Sequence, residues 1–149
     1  MSIVAVRDGI MASDTRANGG DLEFSMRKMQ RDGDRIVGWA GNWTDGKVFA
    51  KWWLSGADLD ALPSFVNREG KAPDFVALTL SPDGWEYWFE WFVPESNEDI
   101  LLPYMAIGSG QQAAMAAMHM GATAAEAVGV ACAVAAGCST PIQVEALGK

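Results

Sequence analysis

Three residues in the first part of this 149-residue chain have side chains that could act together: Ser2, Asp14 and Lys28. A serine hydroxyl becomes a nucleophile only when a base takes its proton. A free α-amine is such a base, with an ordinary pKa of about 7.7–8.0. It can serve the hydroxyl of its own residue, directly or through a water. Met1 stands before a small residue, a good substrate for cytosolic methionine removal, so Ser2 can be exposed without a propeptide. A nearby lysine would keep that amine neutral and favour the alkoxide, and an aspartate would orient the lysine. The chemistry on offer is acyl transfer. The same residues also fit a plainer account, a serine that happens to be second and an aspartate that ends a strand. Residue type alone leaves both open.

Other chemistries find fewer parts. His119 is the only histidine; it sits in MAAMHMGA among methionines and reads as a half-buried helical residue. A Ser-His-Asp triad would have to use it, and no G-x-S-x-G turn occurs. Cys132 and Cys138 are the only cysteines, and no Cys or His pair has ligand spacing, so no structural zinc site is expected. Cys138 reads as a packing residue. Neither Gly-rich phosphate-loop pattern is present. The formal charge of -8 argues against a nucleic-acid partner, because phosphate binding needs clustered Lys and Arg.

Half of the residues are hydrophobic, which suits one domain over residues 1–149 with a substantial core. The start lacks a basic region followed by a long apolar stretch. Residues 113–136 are Ala-rich but broken by His119, Gly121, Thr123 and Glu126, so they read as two packed helices and not a membrane span. A soluble cytoplasmic protein with no membrane partner is expected.

The elements that must position the candidate residues can be read from turns and periodicity. Asp8-Gly9 is a type I′ hairpin signal. With a two-residue loop Arg7 pairs with Ile10, which brings SDTR to the chain's own N-terminus. Regular register faces Asp14 away from Ser2, so a twist or bulge at the strand end is expected. A second turn at Asp32-Gly33 pairs Lys28 with Val37 and sets it on the face of Met26 and Trp39, an apolar setting for a lysine. GNWTDGKVFAKWWLSG reads as a helix with apolar positions at Trp43, Val48, Phe49, Trp52 and Trp53 and a stop at Gly56. LDALPSFVNREGKAP is a polar connection. A third hairpin on PDG alternates Trp85, Tyr87, Phe89 and Trp91 against Glu86, Trp88, Glu90 and Phe92, with burial, commonly against another subunit, expected of its aromatic face. YMAIGSG is a strand entering a turn. Ser109 with Gln112, and Thr123 with Glu126, fit helix-capping boxes. Two Ala-rich helices and a strand at PIQVEAL follow. The order predicts an α+β fold, stacked sheets with helices outside.

The pattern SIVAVRDGIMASDTR … MRKMQRDGDRIVGWAGN … AIGSG … PIQV resembles proteasome β-type subunits, nearest to the short HslV-like peptidases of bacteria and their phages. The likeness covers nearly the whole chain. It implies a four-layer αββα sandwich and a self-compartmentalising peptidase in which Ser2, exposed by removal of Met1, is both nucleophile and base. Asp14 and Lys28 support its amine, the Gly41 amide serves the oxyanion hole, and Ser109 in the GSG turn sits near the amine. It further implies peptide or unfolded-protein substrates, a homo-oligomeric ring, and an ATP-dependent unfoldase as partner, without a cofactor. The chain departs from the family pattern in carrying serine for the usual threonine. Its AVAAGCSTPIQV has Ala135 near the position of a usual aspartate and Ser139-Thr140 for two glycines. An alignment on IV places Met1 at the nucleophile position instead. These departures keep two other readings open: a catalytically silent shell or scaffold on the same fold, and a small-amide hydrolase whose Trp-rich walls hold its substrate.

Overall fold

β1 (Ile3–Arg7) turns into β2 (Ile10–Ser13) through Asp8-Gly9, whose φ values of 53° and 73° are those of a type I′ turn. Arg7 pairs with Ile10 and Val4 with Ser13, the register read from the sequence. The computed structural model describes residues 3–19, 21–65, 73–90, 93–135 and 140–148. A ribbon of β3 (Arg16–Gly19) and β4 (Leu22–Ser25) follows. It has no counterpart in the sequence reading, because four-residue strands with no covering layer carry too little pattern.

The second hairpin, β5 (Met29–Asp32) and β6 (Arg35–Gly41), corrects the expected register. Asp32 pairs with Arg35, so the turn is Gly33-Asp34 and not Asp32-Gly33, and Val37 faces Gln30 and not Lys28. Gly33 takes the one positive φ, 61°, at the first turn position, which relieves the aspartate of an unfavourable conformation. Lys28 thus precedes the paired strand, level with Trp39, whose N–H donates to the Lys28 carbonyl (3.2 Å).

Asn42 caps α1 (Trp43–Leu54), and Gly56 follows the helix with φ 115°. β7 (Phe75–Ser81) and β8 (Gly84–Glu90) make the third hairpin, around Pro82-Asp83. β9 (Val93–Ser96) and the short α2 (Asn97–Ile100) are additions to the sequence reading, as is an irregularity in the β8–β9 ladder between Trp88 and Glu90. Then come β10 (Tyr104–Gly108), α3 (Gln111–His119), α4 (Ala124–Val134) and β11 (Gln143–Ala146). Thr123 and Glu126 form the capping box expected of them. Ser109 does not cap α3: the N-cap is Gly110, one residue on, with no side-chain cap bond. His119 ends α3 exposed, not half-buried.

Four layers result. The first sheet runs β10-β1-β2-β11 and the second β5-β6-β7-β8-β9. Strand alternation divides the apolar residues among three cores. Ile3, Ala5, Ala12, Tyr104 and Ala106 meet α3 and α4. Val4, Val6, Met11 and Ile107 of the first sheet meet Met29, Ile36, Leu78, Leu80 and Trp85 of the second. Val37, Trp39, Phe75, Ala77 and Trp88 meet Phe49, Trp52 and Trp53 of α1. This is the αββα sandwich of an α+β fold. Of the aromatic hairpin, Trp85 and Trp88 are buried while Phe89 is exposed; Trp91 and Phe92 lie outside the described residues. No described helix is long and apolar enough to cross a membrane.

Candidate active site

The hairpin ladder ends at Ser13, and the next residue leaves it with its carboxylate turned inward. Asp14 donates its N–H to the Ile3 carbonyl (3.1 Å), and its Oδ1 accepts the Ile3 N–H (3.0 Å). Oδ2 accepts the Arg16 N–H (3.3 Å). Lys28 Nζ donates to both oxygens, at 3.0 and 3.2 Å. Asp14 is 0% and Lys28 4% exposed. Either charge alone at this depth would be strongly destabilising; together, with two amides on the carboxylate, they are compensated. The ammonium comes from just before β5, in the second sheet, and the carboxylate from just after β2, in the first. The pair therefore bridges the two sheets at their rim, and it holds the backbone N–H of the residue next to Ser2. Ser2 itself, Met1, Cys138 and Ser139 lie outside the described residues.

Gly41 ends β6 opposite Phe75. Its φ is 108°, and a Cβ there would stand 2.9 Å from the Asp74 carbonyl oxygen, so only glycine fits. Ser109 follows β10, whose last residue, Gly108, pairs with Ile3. Gly41, Gly108 and Ser109 line one cleft of about 720 Å³, with Phe75, Val76 and Phe89 among its apolar walls. The structure thus joins Asp14 to Lys28 in one buried cluster and Gly41 to Ser109 in one cleft, and Ile3 touches both groups through its amide and its strand partner.

The sequence reading missed two supports. Thr15 Oγ1 donates to the Pro141 carbonyl (2.7 Å), tying the chain after Asp14 to the approach of β11. Asp45, buried at the start of α1, accepts the Asp74 N–H (3.0 Å). The Asn42-x-x-Asp45 spacing at a helix start is the signal that could have found the second. Among the described residues no group of three His, Cys, Asp or Glu could hold a metal ion.

Searches of solved structures find the same architecture. The BPH protein of Thiobacillus denitrificans, in complex with epoxomicin, is 20% identical and superposes with a TM-score of 0.68 over 99% of each chain. The chain has the HslV-type fold. A second structure of the BPH of Thiobacillus denitrificans gives 20% identity and a TM-score of 0.69, over 99% of this chain and 98% of that one. HslV of Trypanosoma brucei gives 18% and 0.69, over 97% and 98%. Neither a family model nor a curated protein matches the sequence. At such identities the likeness speaks for the HslV-type fold, and what the site does must be argued from its own residues.

Proposed function

We propose that this chain is an N-terminal-nucleophile peptidase that acts through Ser2 after removal of Met1. The carrying observation is the buried Asp14 carboxylate, which binds the Ile3 N–H at 3.0 Å and the Lys28 ammonium at 3.0 Å. Ser2 is the residue covalently next to Ile3, whose N–H that carboxylate binds. In this reading the Ser2 α-amine takes the Oγ proton as Oγ attacks a peptide carbonyl. The Lys28 charge favours a neutral amine and an ionised hydroxyl, and Asp14 keeps that charge in place. The Gly41 N–H stabilises the oxyanion. Collapse breaks the C–N bond, and the proton passes from the α-amine to the departing amine. Water, deprotonated by the same amine, then hydrolyses the Ser2 ester. Ser109 supports the amine from the GSG turn.

By the same reading the substrates are peptides or unfolded proteins, copies of the chain form a ring around an inner chamber, and an ATP-dependent unfoldase feeds it in the cytoplasm. The neighbour that holds epoxomicin supplies a probe. The test is the intact mass of untagged protein before and after incubation with epoxomicin. A mass short by one methionine, then raised by one equivalent of the compound and unchanged in Ser2→Ala, is the expected result. Retained Met1, or equal labelling of Ser2→Ala, overturns the proposal.

A further inference from the structure

One buried carboxylate has no part in the acyl transfer set out above. Asp45 is 1% exposed and lies in the first turn of α1, its N–H donating to Asn42 Oδ1 (3.0 Å). Its Oδ2 reaches away from the helix and accepts the Asp74 N–H at 3.0 Å. The Asp74 carbonyl in turn accepts the Asn42 N–H at 2.7 Å. Both polar groups of the Asp74 backbone are therefore clamped to the start of α1, directly after Gly41.

Gly41 borders that clamp. It precedes Asn42 directly and pairs with Phe75, and the space a Cβ would need is taken by the Asp74 oxygen and the Phe75 Cα, 2.9 and 3.0 Å away. The helix start is held from the other side as well: a Cβ on Gly46 would run into the Trp39 indole. With α1 pressed on Trp39 and Asp74 tied to Asn42 and Asp45, the peptide plane of Gly41 has little freedom. A carboxylate suits this task better than a neutral group, because it makes the stronger hydrogen bond to an amide and is favoured near a helix N-terminus.

From this geometry we infer that Asp45 is a positioning residue, which aims the Gly41 N–H at the reacting carbonyl by holding the Asp74 amide. The inference rests on the acyl-transfer reading. An oxyanion donor contributes only while it is aimed, and outright loss of one slows catalysis roughly 10²–10³-fold. Misaiming should cost less.

The experiment is the rate of covalent labelling by epoxomicin, followed by intact mass over a range of concentrations, for wild type, Asp45→Ala and Asp45→Asn. Asp45→Ala is expected to lower the saturating rate about 10- to 100-fold, with the half-saturating concentration unmoved. Asp45→Asn keeps an acceptor oxygen for the Asp74 amide, though a weaker one, and should lose distinctly less than Asp45→Ala. A merely structural role would move the two variants in step with their melting temperatures and not split rate from binding. Where Asp45→Ala yields no folded protein, Asp45→Ser, which retains a short polar side chain but cannot span to Asp74, carries the same expectation. An unchanged saturating rate in the Ala or Ser variant, or equal losses in Ala and Asn, overturns the inference and leaves the peptidase reading standing. Wild type that is never labelled overturns the peptidase reading, and this one with it.

Discussion

The two outer layers cover their sheets by opposite means. α3 and α4 lie on the first sheet with small side chains, Ala114, Ala124, Ala127 and Ala131, against Ala5, Ala12 and Ala106. α1 lies on the second with Phe49, Trp52 and Trp53 against Trp39, Phe75 and Trp88, whose rings meet at centroid distances such as 5.0 Å for Phe49–Trp88. Small residues bring backbones close and leave no room; large rings supply buried area and specific edge contacts. The first face should therefore suffer from added volume and the second from removed volume. The candidate site belongs to neither outer layer. It lies at the rim where the two sheets meet, and its charged pair takes one partner from each side.

That seam is where the largest effect is expected. Lys28→Ala leaves Asp14 buried without its counter-charge, which should cost about 3–5 kcal/mol in urea unfolding and abolish covalent labelling by epoxomicin. A small loss would mean that the two sheets are held in place without the pair. On the aromatic side, Trp88→Ala empties the centre of the α1 core and strips Thr79 Oγ1 of its 3.0 Å hydrogen bond from the indole. A loss of about 3–5 kcal/mol is expected. On the small-residue side the informative change is the opposite one: Ala127→Leu should cost about 1–3 kcal/mol through overpacking. If Ala127→Leu were tolerated freely, the contrast between the two layers would fail.

The smallest effect concerns Glu86, beside the Arg35–Trp53 stack at the end of α1. Burial holds its pKa above the ordinary carboxylate range, the Arg35 charge working against that and Asp83 adding to it. The neutral form is the one the fold prefers, so its contribution is present below the unfolded pKa and is lost as pH rises through the folded value. Melting temperatures of wild type and Glu86→Gln should accordingly diverge in favour of the variant as pH rises from about 4 to about 7. Parallel curves would place Glu86 in effectively open water.

Much of this was legible in advance, and the failures are physical ones. Asp8-Gly9 reveals the first hairpin with its register, because a type I′ turn leaves the chain one pairing. Asp32-Gly33-Asp34 does not, because Gly33 can serve as the second position of one turn or the first of another, and packing of Met29 and Ile36 between the sheets decides. Ser109 fits a helix cap by its spacing to Gln112, yet α3 starts one residue later, with Gly110 as its N-cap. Asp14 and Lys28 can be picked out by residue type and Gly41 and Ser109 by the resemblance, but the contacts each one makes cannot.

What the sequence determined by itself is local: strand alternation, turn chemistry, the Thr123 capping box and the residue types available for acyl transfer. What only the tertiary structure decided is which of these meet. Lys28 reaches Asp14 across 14 residues of chain, and Gly41 shares a cleft with Ser109, because two sheets stack face to face at one angle and one separation. That stacking is set by the summed packing of Val4, Val6, Met11, Leu78, Leu80, Trp85 and Ile107, a volume that no short stretch of sequence encodes.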